Sequence, residues 1–325
     1  MFALPKFVRA MTALLFMTAV AQAMAQTDFP NKPITLLVGS APGGSNDVFA
    51  RVIGKQLQDL FGVSVVVENK PAAGGILANV LLAKAPADGY TLVVLSSTFT
   101  TGAAVRKNLQ YDAIKSFAPI AMLAKGPMLI TVGNNTPYKT LEDLVKFAKA
   151  NPGKLNYGTS GVGSINQFAS ELLSEAADIK MTHVPYKGMG PAVTDLLSGH
   201  IDMIIASAPS LLSQVKAEKI RALAVSSVER SEVTPDIRGL KEAGLPKAAV
   251  DLWWGMLAPA GTPKPVVDKL NKSINQIITS DAMKSFFVKE GAIPFAMSPD
   301  AFASHLATEL ERWKVIAQNA NIQAE

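Results

Sequence analysis

The chain has 325 residues, no cysteine, and 31 Lys+Arg against 26 Asp+Glu. Without cysteine it has neither a thiol nucleophile nor a disulfide framework. Its basic residues are scattered, which excludes the concentrated basic face that nucleic acid requires.

Residues 1–25 stand apart. Lys6 and Arg9 precede an apolar run from Ala10 to Val20, too short to span a bilayer comfortably. Ala23-Met24-Ala25 then places small residues where a signal peptidase reads. That order predicts a secretory signal peptide cleaved near Ala25 and a mature chain in the periplasm. Without Lys6 and Arg9 the chain carries 29 basic and 26 acidic residues, a net charge of +3. This suits an anionic small ligand without requiring one. The remaining length, roughly 300 residues, is enough for two domains, and no later stretch is long and apolar enough for a transmembrane helix.

Short apolar strands then alternate with helix-period stretches. Ile34 to Val38 reads as a buried strand, Val48 to Phe61 as a helix ended by Gly62, and Val63 to Val67 as a strand. Ile76 to Ala85 reads as a helix, and Asp88-Gly89 as a turn into the strand Tyr90 to Leu95. This β-α-β-α-β order predicts a parallel sheet with helices on both faces. After Pro127 the pattern restarts. Strands are expected at 128–132, 155–158, 181–184, 201–206 and 220–225, and helices at 140–150, 166–176, 191–198 and 209–215. Thr140 and Asp143 have capping-box spacing. The tail has one strand, Leu252 to Ala258, and three helical stretches, 263–279, 282–290 and 299–319, too little strand for a sheet of its own. The organisation expected is therefore α/β and two-lobed. Residues 26–126 and 251–325 form lobe 1, residues 127–250 form lobe 2, and the crossings fall near 125 and 250.

Two glycine-rich loops each join a strand to a helix, one per lobe. The first is Gly39-Ser40-Ala41-Pro42-Gly43-Gly44-Ser45-Asn46-Asp47 and the second runs from Gly158 to Ile165. Free N–H groups and the helix dipole make such helix N-termini attractive to anions. Neither loop is a nucleotide motif: no lysine follows the last glycine, and the spacing of Gly158, Gly161 and Gly163 is not that of a dinucleotide fingerprint. Either loop alone could be a tight turn, but one in each lobe points to a shared inter-lobe ligand. Ser40, Ala41, Pro42, Gly43, Gly44 and Asn46 are the candidates from the first loop. Thr159, Ser160, Gly161, Val162, Gly163 and Ser164 are those from the second. Gly74, in a third glycine turn, and Ser97 and Thr98, at a strand's carboxyl end, join them.

These segments resemble the Bug-type extracytoplasmic receptors, the substrate-binding proteins of tripartite tricarboxylate transporters. The matching stretches are Ala41 to Arg51, Glu68 to Gly75, Ala87 to Leu92, Tyr157 to Ser164, Val184 to Ala192, Asp195 to Asp202 and Ala258 to Pro263. The resemblance spans the mature chain. It implies a Venus-flytrap fold of the type II-like periplasmic binding proteins, with a ligand carboxylate held between the two loops, commonly with bridging waters. It also implies transporter membrane subunits as partners, and ligands drawn from mono-, di- and tricarboxylates, amino acids and aromatic acids. Two positions depart from the family pattern: Ser40 stands where many members carry an aromatic residue, and Gln167 where many carry histidine. They suggest a roomier pocket and a neutral donor-acceptor in place of a titratable ring.

Other residues carry less. Asp47 suits helix capping slightly better than ligand contact. Asp202, at a strand start, suggests an inter-lobe or ligand hydrogen bond, or a solvated strand end. His183, His200 and His305 have no metal spacing, and no metal or cofactor is expected. One of Trp253 and Trp254 is expected in the core, and the other could line the cleft. An exported hydrolase is disfavoured because Gly161-Val162-Gly163-Ser164-Ile165 lacks the second glycine of a nucleophile elbow. A sensor that presents its ligand to a signalling partner cannot be separated from a transport receptor by sequence. The reading reached is a monomeric, non-enzymatic receptor for a small organic carboxylate. Its ligand is expected to be held mainly by backbone N–H groups and hydroxyls, with no adjacent Arg or Lys. Bulky substitution of Gly43 or Gly163 is expected to abolish binding.

Overall fold

The computed structural model describes residues 29–71 and 73–323; the predicted signal peptide lies outside the described residues. The chain opens with β1 (Ile34–Val38), α1 (Ser45–Phe61), β2 (Val65–Asn69), α2 (Ile76–Ala83), β3 (Thr91–Ser96), α3 (Thr98–Ala104) and β4 (Phe117–Gly126). It crosses directly into β5 (Met128–Gly133), α4 (Leu141–Ala150), β6 (Asn156–Thr159), α5 (Ile165–Ala177) and β7 (Thr182–Pro185). Next come α6 (Met189–Ser198), β8 (Met203–Ser207), α7 (Ala208–Lys216) and β9 (Ile220–Val225). The tail supplies β10 (Leu252–Pro259), α8 (Lys264–Ile278), α9 (Asp281–Lys289), β11 (Ile293–Pro294) and α10 (Pro299–Asn319).

Two sheets result, one per lobe, with strand orders β11-β4-β10-β3-β1-β2 and β7-β6-β8-β5-β9. The parallel sheet expected from residues 34–95 is present as β2-β1-β3, and β7-β6-β8 are parallel as well. β10 runs antiparallel to both β3 and β4, and β5 runs antiparallel to β8 and β9. β4 enters the second sheet through Pro127 alone, and without a crossover helix a strand need not run parallel to its neighbours. β10 lies between β3 and β4 with all eight residues buried, which explains its unbroken apolar run.

Local chemistry sets the element ends. Gly62 closes α1 in the left-handed conformation (φ 71°) and its N–H returns to Gln58 O. Thr140 and Asp143 form the reciprocal capping box at the start of α4. Trp254, fully buried, meets Phe49 of α1 edge to face with ring centroids 4.8 Å apart. Its indole N–H donates to Ser45 Oγ at 3.0 Å, fixing the first residue of α1 to the sheet beneath it. Trp253 is also buried and donates its indole N–H to Glu309 at 2.6 Å. Both tryptophans are thus core residues and neither lines the cleft: the strand is central, so both of its faces are covered.

The lobes meet in two ways beyond the cleft. Ser226 ties the crossings together: its hydroxyl accepts from Met128 N–H at 2.8 Å and donates to Val250 O at 2.6 Å. In addition, Phe168 of α5 and Trp313 of α10 pack edge to face at 5.2 Å, both fully buried. The hydrophobic core is therefore continuous from one sheet to the other.

Candidate ligand site between the lobes

The carboxyl ends of β1, β3, β6, β7 and β8 converge on one cavity of about 320 Å³. In lobe 1 the β1–α1 loop is held from behind. Asp47, almost wholly buried, accepts the Gly43 N–H at 3.0 Å, the Arg51 Nε at 3.0 Å and the Asn69 amide at 2.9 Å. The Asn69 amide also reaches Ser40 O at 3.0 Å. Burial pushes the Asp47 pKa up, but the hydrogen bonds from Arg51, Gly43 and Asn69 and the Arg51 charge outweigh it, so the carboxyl sits below the ordinary aspartate value. Asp47 is a brace and not part of the cavity wall. Gly39 lies so close to the Gly75 turn that a Cβ would stand 2.5 Å from Gly75 Cα. Only glycine allows that approach, which brings Gly74 and Gly75 to the cavity wall.

The β6–α5 loop repeats this construction. Ser40, Gly43, Asn46 and Asp47 recur at the same spacing as Ser160, Gly163, Asn166 and Gln167. Gly43 and Gly163 both have positive φ, 83° and 78°. The Gly163 N–H donates to Gln167 Oε1 at 2.8 Å, as the Gly43 N–H does to Asp47. Gln167 and Ser164, whose hydroxyl caps α5, therefore serve the loop from behind. Thr159 does the same, its hydroxyl taking the Gly161 N–H at 3.2 Å and lying 2.7 Å from His183 Nε2.

The Ser/Asn pairs differ between the lobes. In lobe 2 the Ser160 hydroxyl donates to Asn166 Oδ1 at 2.7 Å, and the Asn166 amide donates to Ile205 O at 2.8 Å. In lobe 1 Ser40 Oγ and Asn46 Oδ1 are buried with no hydrogen-bond partner among the described residues. Buried polar atoms are rarely left so, and both residues line the cavity.

The loops nearly touch. The Ile165 N–H donates to Thr98 Oγ1 at 3.3 Å, and Arg106 donates to Val162 O at 2.8 Å. Both bonds cross from one lobe to the other, so the lobes stand closed together. Among the described residues, the lining includes two cations, Arg106 and Lys187, and no Asp or Glu.

A model of the tripartite tricarboxylate transporter family receptor matches residues 49–322. The chain belongs to that receptor family. Protein BugT of Bordetella pertussis is 33% identical over 296 residues, covering 90% of this chain and 91% of that one. The structure of periplasmic binding protein BugD superposes with a TM-score of 0.87 at 30% identity, covering 91% of the receptor and 100% of BugD. R. palustris Rpa4515 with adipate gives a TM-score of 0.88 at 32% identity, covering 91% of the receptor and 99% of that chain. The α/β, two-lobed binding-protein fold expected from the sequence is the receptor's fold.

Of the residues singled out in the sequence, the receptor brings Ser40, Ala41, Gly44, Asn46, Gly74, Thr98, Ser160, Gly161 and Val162 to the cavity wall. Pro42, Gly43, Asp47, Ser97, Thr159, Gly163, Ser164, Gln167 and Asp202 stand off it. Ser97 is buried in hydrogen bonds to Trp253, accepting its N–H at 3.1 Å. Asp202 accepts the Asn156 N–H at 2.8 Å at the start of β6, at the opposite end of that strand from the cleft.

The sequence reading missed Arg106, Tyr186, Lys187, Gly188, Ser207 and Ser210, all on the wall. Tyr186 to Gly188 follow β7, so the rule placing ligands at the carboxyl ends of parallel strands pointed to them. The Tyr186 phenol donates to Asp195 at 2.6 Å; burial, then that carboxylate, push its pKa up to about 12. Arg106 had no such signal, because it follows a helix, α3, whose short apolar run carries no clear period.

Proposed function

We propose that the chain is a periplasmic receptor that captures a small organic carboxylate and delivers it to the membrane subunits of a tripartite tricarboxylate-type transporter, without turning it over. The observation that carries this is the wall of the cleft: two helix N-termini and two cations face one cavity with no carboxylate among the lining residues. First-turn N–H groups at Ser45 and Asn46 lack intrahelical acceptors. With the Ser40 hydroxyl beside them, they form a seat for one carboxylate in lobe 1. A cavity of about 320 Å³ suits a ligand of a few carbons, and a relative of the same fold holds adipate. The leader at residues 1–25 supports export. The bonds that cross the cleft support a mechanism in which the ligand completes contacts with both lobes only when they are closed, the differential affinity that shifts an open–closed balance.

Calorimetric titration tests the reading. A set of small carboxylates and their neutral amides is compared on the mature chain. At least one acid is expected to bind clearly more tightly than its amide. Equal affinity throughout the set would refute the anion seat.

A further inference from the structure

Arg106 follows α3, and its side chain lies on the cavity wall, half-buried. One terminal nitrogen donates to Gly102 O in its own lobe at 3.0 Å, and the other to Val162 O in the opposite lobe at 2.8 Å. Both acceptors are neutral. Burial holds its pKa below the ordinary arginine value, and only the Tyr111 phenol acts in the other direction; no aspartate or glutamate contributes. The guanidinium nonetheless stays protonated. A cation drawn out of water without a counter-charge is destabilising unless an anion pairs with it. The two carbonyls use two of its five N–H groups, leaving three on a planar fork suited to a carboxylate. Lobe 2 offers no free equivalent of the Ser40 hydroxyl, because the Ser160 hydroxyl is committed to Asn166 Oδ1. The cavity therefore offers an uncharged anion seat at the N-terminus of α1 and, besides the Lys187 ammonium, a charged one at Arg106 that is anchored on both lobes.

We propose that Arg106 is a specificity-determining residue that pairs with a second carboxylate of the ligand, so that the receptor selects dicarboxylates over monocarboxylates. This rests on the carboxylate reading above, with the first carboxylate in the lobe 1 seat. Because Arg106 is anchored on Val162 O across the cleft, its fork is held in place only when the lobes are together. Pairing with the distal carboxylate thus also favours closure.

The test crosses the ligand's far end with the residue. Succinate, glutarate and adipate, and the monoamide of each, are titrated into the mature wild-type chain, Arg106→Gln and Arg106→Lys. Circular dichroism checks that each variant is folded. For the best diacid, the wild type is expected to prefer the diacid to its monoamide by about tenfold or more. Arg106→Gln should bring that ratio close to one by weakening the diacid alone, and Arg106→Lys, which keeps charge but loses the fork, should fall between. A folded Arg106→Gln that keeps the wild-type ratio overturns the assignment. If Arg106→Gln does not fold, an unchanged ratio in Arg106→Lys, or a wild-type ratio near one, overturns it equally. Failure of the wild type to bind any of the six compounds overturns the dicarboxylate assignment, whereas the carboxylate reading itself stands or falls on the broader comparison of acids with their amides.

Discussion

Gly43 and Gly163 hold the same place in their loops and nearly the same φ, yet alanine should affect them very differently. A Cβ on Gly43 meets nothing within 4 Å. Gly43→Ala therefore bears only the cost of an L-residue in the left-handed region, roughly 1–2 kcal/mol. A Cβ on Gly163 would stand 2.6 Å from Val105 Cγ2 and 2.8 Å from a terminal nitrogen of Arg106. Both neighbours belong to the opposite lobe, so the added overpacking, about 1–3 kcal/mol, falls on the closed arrangement. The chain can escape it by parting the lobes. The two variants should therefore melt within a few degrees of each other while their affinities diverge. An extra 1–3 kcal/mol against closure weakens the Gly163→Ala dissociation constant by roughly 5- to 150-fold relative to Gly43→Ala. Differential scanning fluorimetry gives the melting temperatures, and titration calorimetry with any carboxylate that binds the wild type gives the affinities. The sequence alone put both glycines on a par; the open space around Gly43 leaves it only the backbone strain of its positive φ. Equal affinity in the two alanine variants would refute the view that closure of the cleft is what binding requires.

Asp47→Asn should lower stability by about 1–3 kcal/mol, toward the lower end because Arg51 is half in solvent. Since the folded pKa of Asp47 lies below its ordinary value, its contribution is complete above the unfolded pKa of about 3.9 and is lost as pH falls through the folded value. The gap in melting temperature between wild type and Asp47→Asn should thus be constant from about pH 8 to 5 and narrow in more acid buffer; a gap that widens there contradicts the brace. Ser226→Ala removes the partner of the buried Met128 N–H and of Val250 O, a loss of about 1–3 kcal/mol. It should appear in urea melts as a lower midpoint, and an unchanged midpoint would show that the crossings are held by other contacts.

Much of the fold was legible because its signals are local. The strands β1, β5, β9 and β10 and the helices α4 and α10 were placed within a residue or two by period and capping. β4 was missed, since the Pro119 and Lys125 that interrupt its apolar run hide a ten-residue strand. The parallel direction of β1, β2 and β3 was legible from the helices between them, but that of β10 was not, because nothing local in Leu252 to Pro259 says that it returns between β3 and β4. The site divided along the same line. The two glycine loops announced themselves through spacing. Whether a residue within them faces the cavity or braces the loop depends on partners far away in sequence: Asn69 for Asp47, Trp253 for Ser97, Asn156 for Asp202. Arg106 escaped because its importance comes from Val162, a carbonyl that carries no residue identity.

The pair Phe168 and Trp313 constrains how the receptor can move. Both rings are fully hidden where the lobes join. Aromatic side chains bury roughly 150–250 Å² each, so a swing that pulled this pair apart would wet several hundred Å² of apolar surface, a penalty of several kcal/mol at about 25 cal/mol per Å². Rotation that leaves the pair in contact avoids that penalty. Ser226, which knots the two crossings at one point, likewise opposes sliding of one strap past the other. The permitted motion is therefore a pivot whose axis passes close to both features, and the glycine loops, at the cleft, are the parts it carries apart.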